Sequence, residues 1–277
     1  MTADLRCIVV HLDGPERARE RLLLGRKLAA AHGAQLRVHY AAVPTARLLP
    51  VESDSAPGVM DALLAIEDER RRQSREVFED LVRQDGPAMT WSQSGDLEPG
   101  PEFARAAMYG DLMVLGQFDA SARGPAMPED FAATVLARSG RPALLVPWAG
   151  SVASAFATVA IAWKETPEAA RAVVAALPFL HRAAVVHILA WGAEPEGGNL
   201  PRLAAYLALH GIHAERHHEP PAGARDVGEA MLSRCADLSA DLLVMGCYGH
   251  GRAREWILGG ASRTVLRSMT LPVLMAH

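Results

Sequence analysis

Cysteine is scarce in this chain, which has three cysteines among 277 residues. Cys7, Cys235 and Cys247 show neither C-x-x-C nor metal-ligand spacing, so a disulfide framework is not expected. No apolar run approaches the length of a membrane-spanning helix. Residues 1–22 lack the basic start and the long apolar segment of a signal peptide. We therefore expect a soluble, cytoplasmic protein.

An excess of positive charge is also missing. The chain has 28 Lys and Arg residues against 32 Asp and Glu residues, a net charge of −4. This balance provides no electrostatic argument for a nucleic-acid or anionic-membrane partner. Half of the residues are hydrophobic and 22% are charged, which is typical of a globular protein. The length suits two domains of ordinary size.

Short apolar segments alternate with longer helical patterns in both halves of the chain, which predicts an α/β fold with a parallel sheet covered on both faces. In the first half, we predict strands at 7–12, 34–43, 111–116 and 143–147, and helices at 15–33, 59–86 and 130–140. In the second half, we predict strands at 158–163, 184–189, 212–219, 241–246 and 272–276, and helices at 166–183, 200–211 and from 259 to about 269.

The two halves are related by an internal repeat. Residues 111–147 align with residues 241–277 without a gap and share nine identities. The identities include Asp111/Asp241, Gly116/Gly246 and Thr134/Thr264, and His39 and His187 are expected at equivalent places in the second strands. We interpret this as a duplication. It predicts two domains, 1–150 and 151–277, joined by the small, turn-rich segment 147–157.

One glycine-rich stretch, VMGCYGHGRAREWILGGASRTVL at 244–266, lies where a predicted strand is followed by a helix. In an open parallel sheet, ligands bind outside the carboxyl ends of the strands, and a helix N-terminus there favours phosphate. Glycines let the backbone approach such a ligand closely. The stretch contains neither GxxxxGK[ST] nor GxGxxG. The residues alone therefore leave two interpretations open, a phosphate site or the turn chemistry of an ordinary strand-to-helix connection.

The spacing Gly246-x2-Gly249-x9-Gly259 resembles the nucleotide-binding motif of the universal stress protein family, and the closing TLPVLMAH is similar to the last strand of that family. The resemblance covers essentially the whole chain as two tandem domains, clear in the second and degraded in the first. It implies two Rossmann-like (adenine nucleotide alpha hydrolase-like) domains, each a five-stranded parallel sheet between helices. It also implies pairing through the last strand, either in a dimer or within one chain.

The resemblance further implies an adenine nucleotide, ATP or AMP, in the second domain. The implied phosphate residues are Gly246, Gly249, Gly259, Gly260 and Ser262, and the implied nucleoside neighbours are Ala162, Trp163, Lys164 and Ile188. Two positions depart from the family pattern. Gly260 stands where the family has Ser or Thr, and Lys164 stands where it has Asp.

The first half shows the opposite departures. It keeps an aspartate, Asp13, at the position that Lys164 takes in the second half. Asp119 and Glu129 occupy two of its three glycine positions. Because two carboxylates would repel a polyphosphate, the first half is not expected to bind ATP.

These features favour a stress-response regulatory protein that binds a nucleotide and is read by a partner protein. GxSxG, HExxH and kinase signatures are missing, so we expect no enzyme beyond slow ATP hydrolysis. The alternative is an interaction module that binds no nucleotide and works through its sheet edges and the charged helix 59–86.

A third hypothesis is a metal-responsive protein. Its ligands would come from His210, His213, His217 and His218, with His213 and His217 on one face of the predicted strand. Surface histidines without a metal are commoner, so we expect no metal site. Cys247, inside the glycine stretch, is either a redox-sensitive thiol or a small filler residue.

Overall fold

The computed structural model describes residues 4–14, 17–44, 58–95, 98–118, 127–149, 155–192, 199–221, 226–247 and 260–277. Contacts divide the chain into two compact units, one of Leu5–Ser139 and one of Gly140–His277 together with the start of the chain. The predicted join at 147–157 includes residues 150–154, which lie outside the described residues. Among the described residues, every helix is too short or too polar to cross a membrane.

The described residues of the first unit form four strands in the order β3-β2-β1-β4. Its elements are β1 (Cys7–Leu12), α1 (Ala18–His32), β2 (Gln35–Tyr40), α2 (Val59–Val82), β3 (Met89–Gln93), α3 (Pro99–Ala107), β4 (Leu112–Gly116) and α4 (Phe131–Ser139). The pairings β1–β2, β1–β4 and β2–β3 are all parallel. β1 and β4 are apolar and almost wholly buried, as expected for strands covered on both faces.

In the described part of the second unit, six strands follow the order β5-β10-β9-β6-β7-β8. Its elements are β5 (Ala143–Val146), β6 (Thr158–Ala162), α5 (Pro167–Leu180), β7 (Val185–Trp191), α6 (Asn199–Leu209), β8 (Glu215–Glu219), α7 (Val227–Asp237), β9 (Leu242–Gly246), α8 (Gly260–Ser268) and β10 (Val273–Ala276). The five strands from β10 to β8 are parallel, and β5 joins β10 in the antiparallel sense. The predicted α/β class, with a mostly parallel sheet flanked by helices, is confirmed.

Side-chain caps start two helices of the second unit. The Thr166 hydroxyl accepts a hydrogen bond from the Ala169 backbone N–H at 3.3 Å, and Pro167 takes the first helical position of α5. The carboxylate of Asp226 accepts from the Gly228 N–H at 2.7 Å and starts α7 in the same way. Both caps satisfy backbone donors that the helix leaves unpaired.

The charged surface of α2 is paired within the helix. Arg71 contacts Glu67 and Asp68 at 3.0 and 3.1 Å, and Arg75 contacts Glu79 at 2.9 Å. The Arg75 and Glu79 side chains are 48% and 47% exposed, so their attraction is screened by water. Pairs at this spacing stabilise a helix by about 0.2–0.5 kcal/mol each. The charge run is therefore explained as a solvated helix face.

Equivalent aspartates tie down the first strand of each repeat. The Asp111 carboxylate accepts from the backbone N–H groups of Arg6 and Cys7 at 2.7 and 2.9 Å. The Asp241 carboxylate accepts from Ala157 and Thr158 at 3.0 and 2.9 Å. The duplication thus extends from sequence identity to the same pair of hydrogen bonds.

The strand register corrects one predicted equivalence. Ile8 of β1 pairs with Leu112, the first residue of β4, and Val159 of β6 pairs with Leu242, the first residue of β9. Ile8 is therefore equivalent to Val159, and the rest of β1 and β6 correspond residue by residue. The Cα partners along the next strand then make His187 equivalent to Arg37, and His39 equivalent to Leu189. The predicted equivalence of His39 and His187 is therefore wrong by two residues, although the even shift keeps both on the same face of their repeats.

A neutral histidine is buried in the first unit. His11 is 1% exposed, and its Nε2–H donates to the carbonyl oxygen of Ala41 at 2.8 Å. Its ring packs against the rings of Phe103 and Phe131, with centroids 5.0 and 4.4 Å away. Burial lowers the pKa of His11 to about 4, because the imidazolium form would lose its hydration.

We predict that His11 makes the first unit sensitive to mild acid. Between the unfolded pKa of about 6.5 and the folded pKa of about 4, the unfolded chain binds a proton that the folded chain does not. Stability should therefore fall as the pH drops through this window, by on the order of 2 kcal/mol at pH 5. Urea unfolding at pH 7.5 and pH 5 measures this loss.

The His11→Leu variant should lose less stability than the wild type between these two pH values. The His213→Leu variant, which changes an exposed histidine, should keep the full loss. An unchanged loss in His11→Leu would contradict the assignment.

Candidate functional site

The carboxyl ends of the parallel strands bring part of the predicted site together. β6 ends at Ala162, whose Cα partner on β9 is Met245, one residue before Gly246. Trp163 and Lys164 follow β6 directly and therefore lie at the same edge of the sheet as the end of β9. This is the edge at which open α/β sheets bind their ligands.

The predicted site residues differ in exposure and position. Ala162 and Ser262 are each 6% exposed, whereas Lys164 and Gly260 are exposed. Ile188 is fully buried inside β7, opposite Ile161, and the strand continues beyond it to residue 191. The two other predicted glycines, at 249 and 259, lie outside the described residues.

Trp163 contributes a buried donor at this edge. Its indole Nε1 is buried and has no hydrogen-bond partner among the described residues. An unpaired buried donor costs about 1–3 kcal/mol, so such groups usually have a partner in the functional protein. The indole N–H can donate to one acceptor, and it has no acceptor function of its own.

Gly246 allows the end of β9 to approach the backbone of α5 more closely than a residue with a side chain would. A Cβ atom at this position would lie 2.4 Å from the Ala169 nitrogen and 2.6 Å from the Glu168 carbonyl carbon. Both atoms belong to the first turn of α5, so the helix start lies directly against the end of β9. The first glycine of the motif is thus explained by packing within the fold, independently of any ligand.

The matching edge of the first unit is filled by an ion pair. A Cβ on Gly116 would lie 2.8 Å from Nη1 of Arg21, a side chain that is 6% exposed and donates to the Asp13 carboxylate. Burial alone raises the pKa of Asp13, but its interactions, chiefly with the Arg21 guanidinium, outweigh burial, so the pKa lies below its usual value. Asp13, which the sequence predicts to match the family's aspartate, is therefore engaged by Arg21.

Asp226 is a site residue that sequence reasoning missed. A Cβ built on Gly260 would lie 3.4 Å from Oδ2 of Asp226, so this carboxylate lies beside the first turn of α8. A negative charge at a helix N-terminus is favourable for the helix, yet it repels a phosphate at the same place. Asp226 directly precedes the helix 227–237 and is followed by Glu229 three residues later, which is an N-cap signal that could have revealed it.

The contact between α7 and α8 explains another identity of the repeat. A Cβ on Gly228 would lie 2.7 Å from the Ala261 carbonyl oxygen and 2.8 Å from Cβ of Thr264. In the first unit, a Cβ on Gly100 would lie 3.0 Å from Cγ2 of Thr134. Thr134 and Thr264 therefore occupy equivalent helix contacts.

Cys247 is buried at the end of β9. Its backbone N–H donates to the Ala276 carbonyl oxygen at 3.0 Å, and its Sγ lies 3.3 Å from the same oxygen. Burial raises the pKa of the thiol, which disfavours the reactive thiolate. This environment supports the filler interpretation over the redox-sensitive one.

The predicted histidine set does not come together. β8 begins at Glu215, so His213 precedes the strand instead of sharing a face with His217. The His210 ring packs against Tyr206, with centroids 4.9 Å apart. His217 instead lies against His187, with Nε2 3.0 Å from Nδ1. The error came from starting the strand three residues too early.

The comparisons with known proteins agree with this fold. Residues 155–277 match the model of the Universal stress protein family. The matched segment runs from just before β6 to β10 and contains the glycine-rich stretch 244–266. No curated protein has a sequence significantly similar to the chain.

Two solved structures share the fold of the whole chain. A universal stress protein from Archaeoglobus fulgidus is 17% identical with a TM-score of 0.70, over 98% of this chain and 95% of that one. A protein of unknown function from Pseudomonas aeruginosa is 14% identical with a TM-score of 0.59, over 98% and 92%. At such identities, the similarity shows the fold alone.

We predict that Gly246→Ala destabilises the second unit by about 1–3 kcal/mol or more, because the added methyl group overlaps the backbone of α5. Gly260→Ala, a matched change at the same edge, meets only an ordinary contact and should change stability by less than about 1 kcal/mol. Urea unfolding of both variants measures the difference. Equal effects would show that the close approach at Gly246 is not a constraint.

Proposed function

We propose that this protein is a stress-response regulator whose universal stress protein domain binds an adenine nucleotide, ATP or AMP. The observation that carries the proposal is the arrangement at the carboxyl edge. There, Trp163 keeps a buried donor without a partner among the described residues, beside the end of β9. A bound ligand that offers an acceptor would satisfy this donor.

In this proposal, the phosphates lie at the start of α8 and along the glycines of the motif. The backbone N–H groups and the dipole of a helix N-terminus favour phosphate. Gly260 and Ser262 belong to the first turn of α8. Gly246 belongs to β9, and Gly249 and Gly259 are assigned from the resemblance alone.

The nucleoside end of the proposed ligand lies between β6 and β7. Ala162, Trp163 and Lys164 follow one another at the end of β6, and Ile188 forms part of the buried sheet beneath. Lys164 is exposed, and its ammonium group can pair with a phosphate as a point charge. It thus reverses the charge that an aspartate would place at this position.

The mechanism is one of occupancy. Nucleotide binding shifts the protein towards the conformation that holds the nucleotide. A cytoplasmic protein partner then binds that conformation preferentially, and no catalytic step is needed. The antiparallel pairing of β5 with β10 supports last-strand pairing within the chain, in place of pairing between two chains.

The alternative is an interaction module that binds no nucleotide. It is favoured by the Asp226 carboxylate beside Gly260, where the phosphates would lie. It is also favoured by the packing explanation of Gly246, which needs no ligand. The two functions make opposite predictions for nucleotide binding.

We expect isothermal titration to give micromolar binding of ATP or AMP to the wild-type protein. The Gly249→Asp variant copies Asp119 of the first half and should bind at least about thirtyfold more weakly, because a carboxylate near a phosphate is repulsive. Gly95→Asp, the same change where an added side chain meets open space, should leave the affinity unchanged.

The starting protein is first checked for co-purified nucleotide by its absorbance ratio and by chromatography after denaturation. No heat with either nucleotide in a nucleotide-free sample would support the interaction module. Equal loss in Gly249→Asp and Gly95→Asp would place the binding elsewhere.

A further inference from the structure

Three side chains with metal-ligating atoms meet on one face of the sheet in the second unit, away from its carboxyl edge. His187 is the third residue of β7, and its Cα partner on β8 is Glu215. His217 lies two residues further along β8, on the same face as Glu215, because strand side chains alternate. The parallel register therefore brings all three together.

The three ligand atoms are close enough to share one ion. Nδ1 of His187 lies 3.0 Å from Nε2 of His217 and 3.3 Å from Oε2 of Glu215, and Nε2 of His217 lies 3.9 Å from Oε2 of Glu215. Tetrahedral zinc with bonds of about 2.0–2.1 Å separates its ligand atoms by about 3.3 Å. The observed distances bracket this value, so small side-chain rotations complete the geometry.

We infer that His187, His217 and Glu215 form a binding site for a divalent transition-metal ion such as Zn²⁺. Two imidazole nitrogens and one carboxylate are a common donor set for zinc. Mg²⁺ and Ca²⁺ prefer oxygen ligands, so two nitrogens among three donors disfavour them. Water completes the tetrahedron as the fourth ligand.

The exposure of the three side chains gives the ion a route from solvent. The His187 side chain is 7% exposed, that of His217 is 21% exposed and that of Glu215 is 66% exposed. The ion therefore meets the carboxylate first and the buried imidazole last.

The Arg234 guanidinium lies next to the site. Nη2 of Arg234 is 3.2 Å from Nδ1 of His217, and its Nε is 2.8 Å from Oε1 of Glu219. When His217 binds the ion through Nε2, its Nδ1 carries the proton and no longer accepts from Arg234. The guanidinium then turns towards Glu219 and Asp237, whose carboxylates already lie 2.8 and 4.0 Å from it.

The first unit provides an internal comparison. By strand register, Arg37, Thr90 and Ser92 stand where the second unit has His187, Glu215 and His217. Nearby on the same face, His39 is satisfied by the hydroxyls of Ser92 and Ser94 at 2.8 and 2.9 Å. In the first unit, both ring nitrogens of His39 are thus hydrogen-bonded to serine hydroxyls. In the second unit, two histidines and a glutamate lie together as possible metal ligands.

A metal here would link two strands. β8 is the last strand in the order of this unit, and His187 belongs to its neighbour β7. Binding an ion between them would hold the outer strand to the sheet, so the ion should stabilise the folded state in proportion to its affinity. This site is independent of the proposed nucleotide site.

The test is a titration of the full-length, metal-free protein with Co²⁺, followed by displacement with Zn²⁺. We expect one Co²⁺ per chain with the strong visible absorption of tetrahedral Co²⁺, and loss of that absorption when Zn²⁺ is added. His217→Ser, which copies Ser92 of the first unit, should bind at least about a hundredfold more weakly. Glu215→Gln, at an exposed side chain, should also bind more weakly.

The matched control is the double variant His213→Ala/His218→Ala, which removes two exposed histidines outside the site. Its affinity should stay within about threefold of the wild type. Zn²⁺ should raise the thermal midpoint of the wild type and of the control, and should not raise that of His217→Ser. Circular dichroism of each variant confirms that it is folded.

Two results would overturn the inference. One is a wild type that binds Co²⁺ and Zn²⁺ no more tightly than His217→Ser does. The other is loss of binding in the His213→Ala/His218→Ala control, which would assign the metal to surface histidines. If His217→Ser does not fold, Glu215→Gln decides between the same outcomes.

Discussion

The close approach of β9 to the first turn of α5 determines the geometry of the candidate site. Gly246 leaves no room for a side chain, so the helix start and the strand end are held at a fixed separation. Thr166 and Pro167 start the helix at this point. Trp163, between β6 and this helix, is consequently held at the edge where a ligand would bind. The site thus depends on a backbone contact that a single methyl group would disrupt.

The two repeats have kept their packing interactions and changed their carboxyl edges. The paired strand-start hydrogen bonds of Asp111 and Asp241 occur in both, as does the helix contact of a glycine with a threonine. At the carboxyl edge, the first unit has a buried guanidinium paired with Asp13 where the second has the exposed Lys164. The residues that hold the fold together are therefore different from those that line the carboxyl edge.

The apolar pattern of the sequence predicted most elements because strands covered on both faces must be continuous apolar runs. β1 matches its predicted bounds, and β4, β6 and β9 differ by one residue at one end. β3 was missed because its sequence, MTWSQ, is half polar and lies partly exposed. α3 and α7 were missed because small residues and an early glycine weaken their helical patterns.

The candidate sites were less accessible to sequence reasoning. The positions of Ala162 and Gly246 at one edge of the sheet were predictable, because the carboxyl ends of parallel strands lie at the same edge. Gly249 and Gly259 lie outside the described residues. The proximity of His187 to His217 depends on the register of two strands about thirty residues apart, and one sequence does not reveal register. Asp226 reaches α8 only through the packing of two helices.

The antiparallel pairing at β10 has a consequence for how the protein can be divided. β10 is hydrogen-bonded to β9 on one side and to β5 on the other, with Val273 opposite Leu145. A fragment limited to the family match at 155–277 would lack β5 and expose the backbone donors and acceptors of β10. Unpaired strand edges recruit other chains. Isolating residues 155–277 would therefore turn β10 into an unpaired edge strand. Self-association of that fragment would result from removing β5 and would not be a property of the full-length chain.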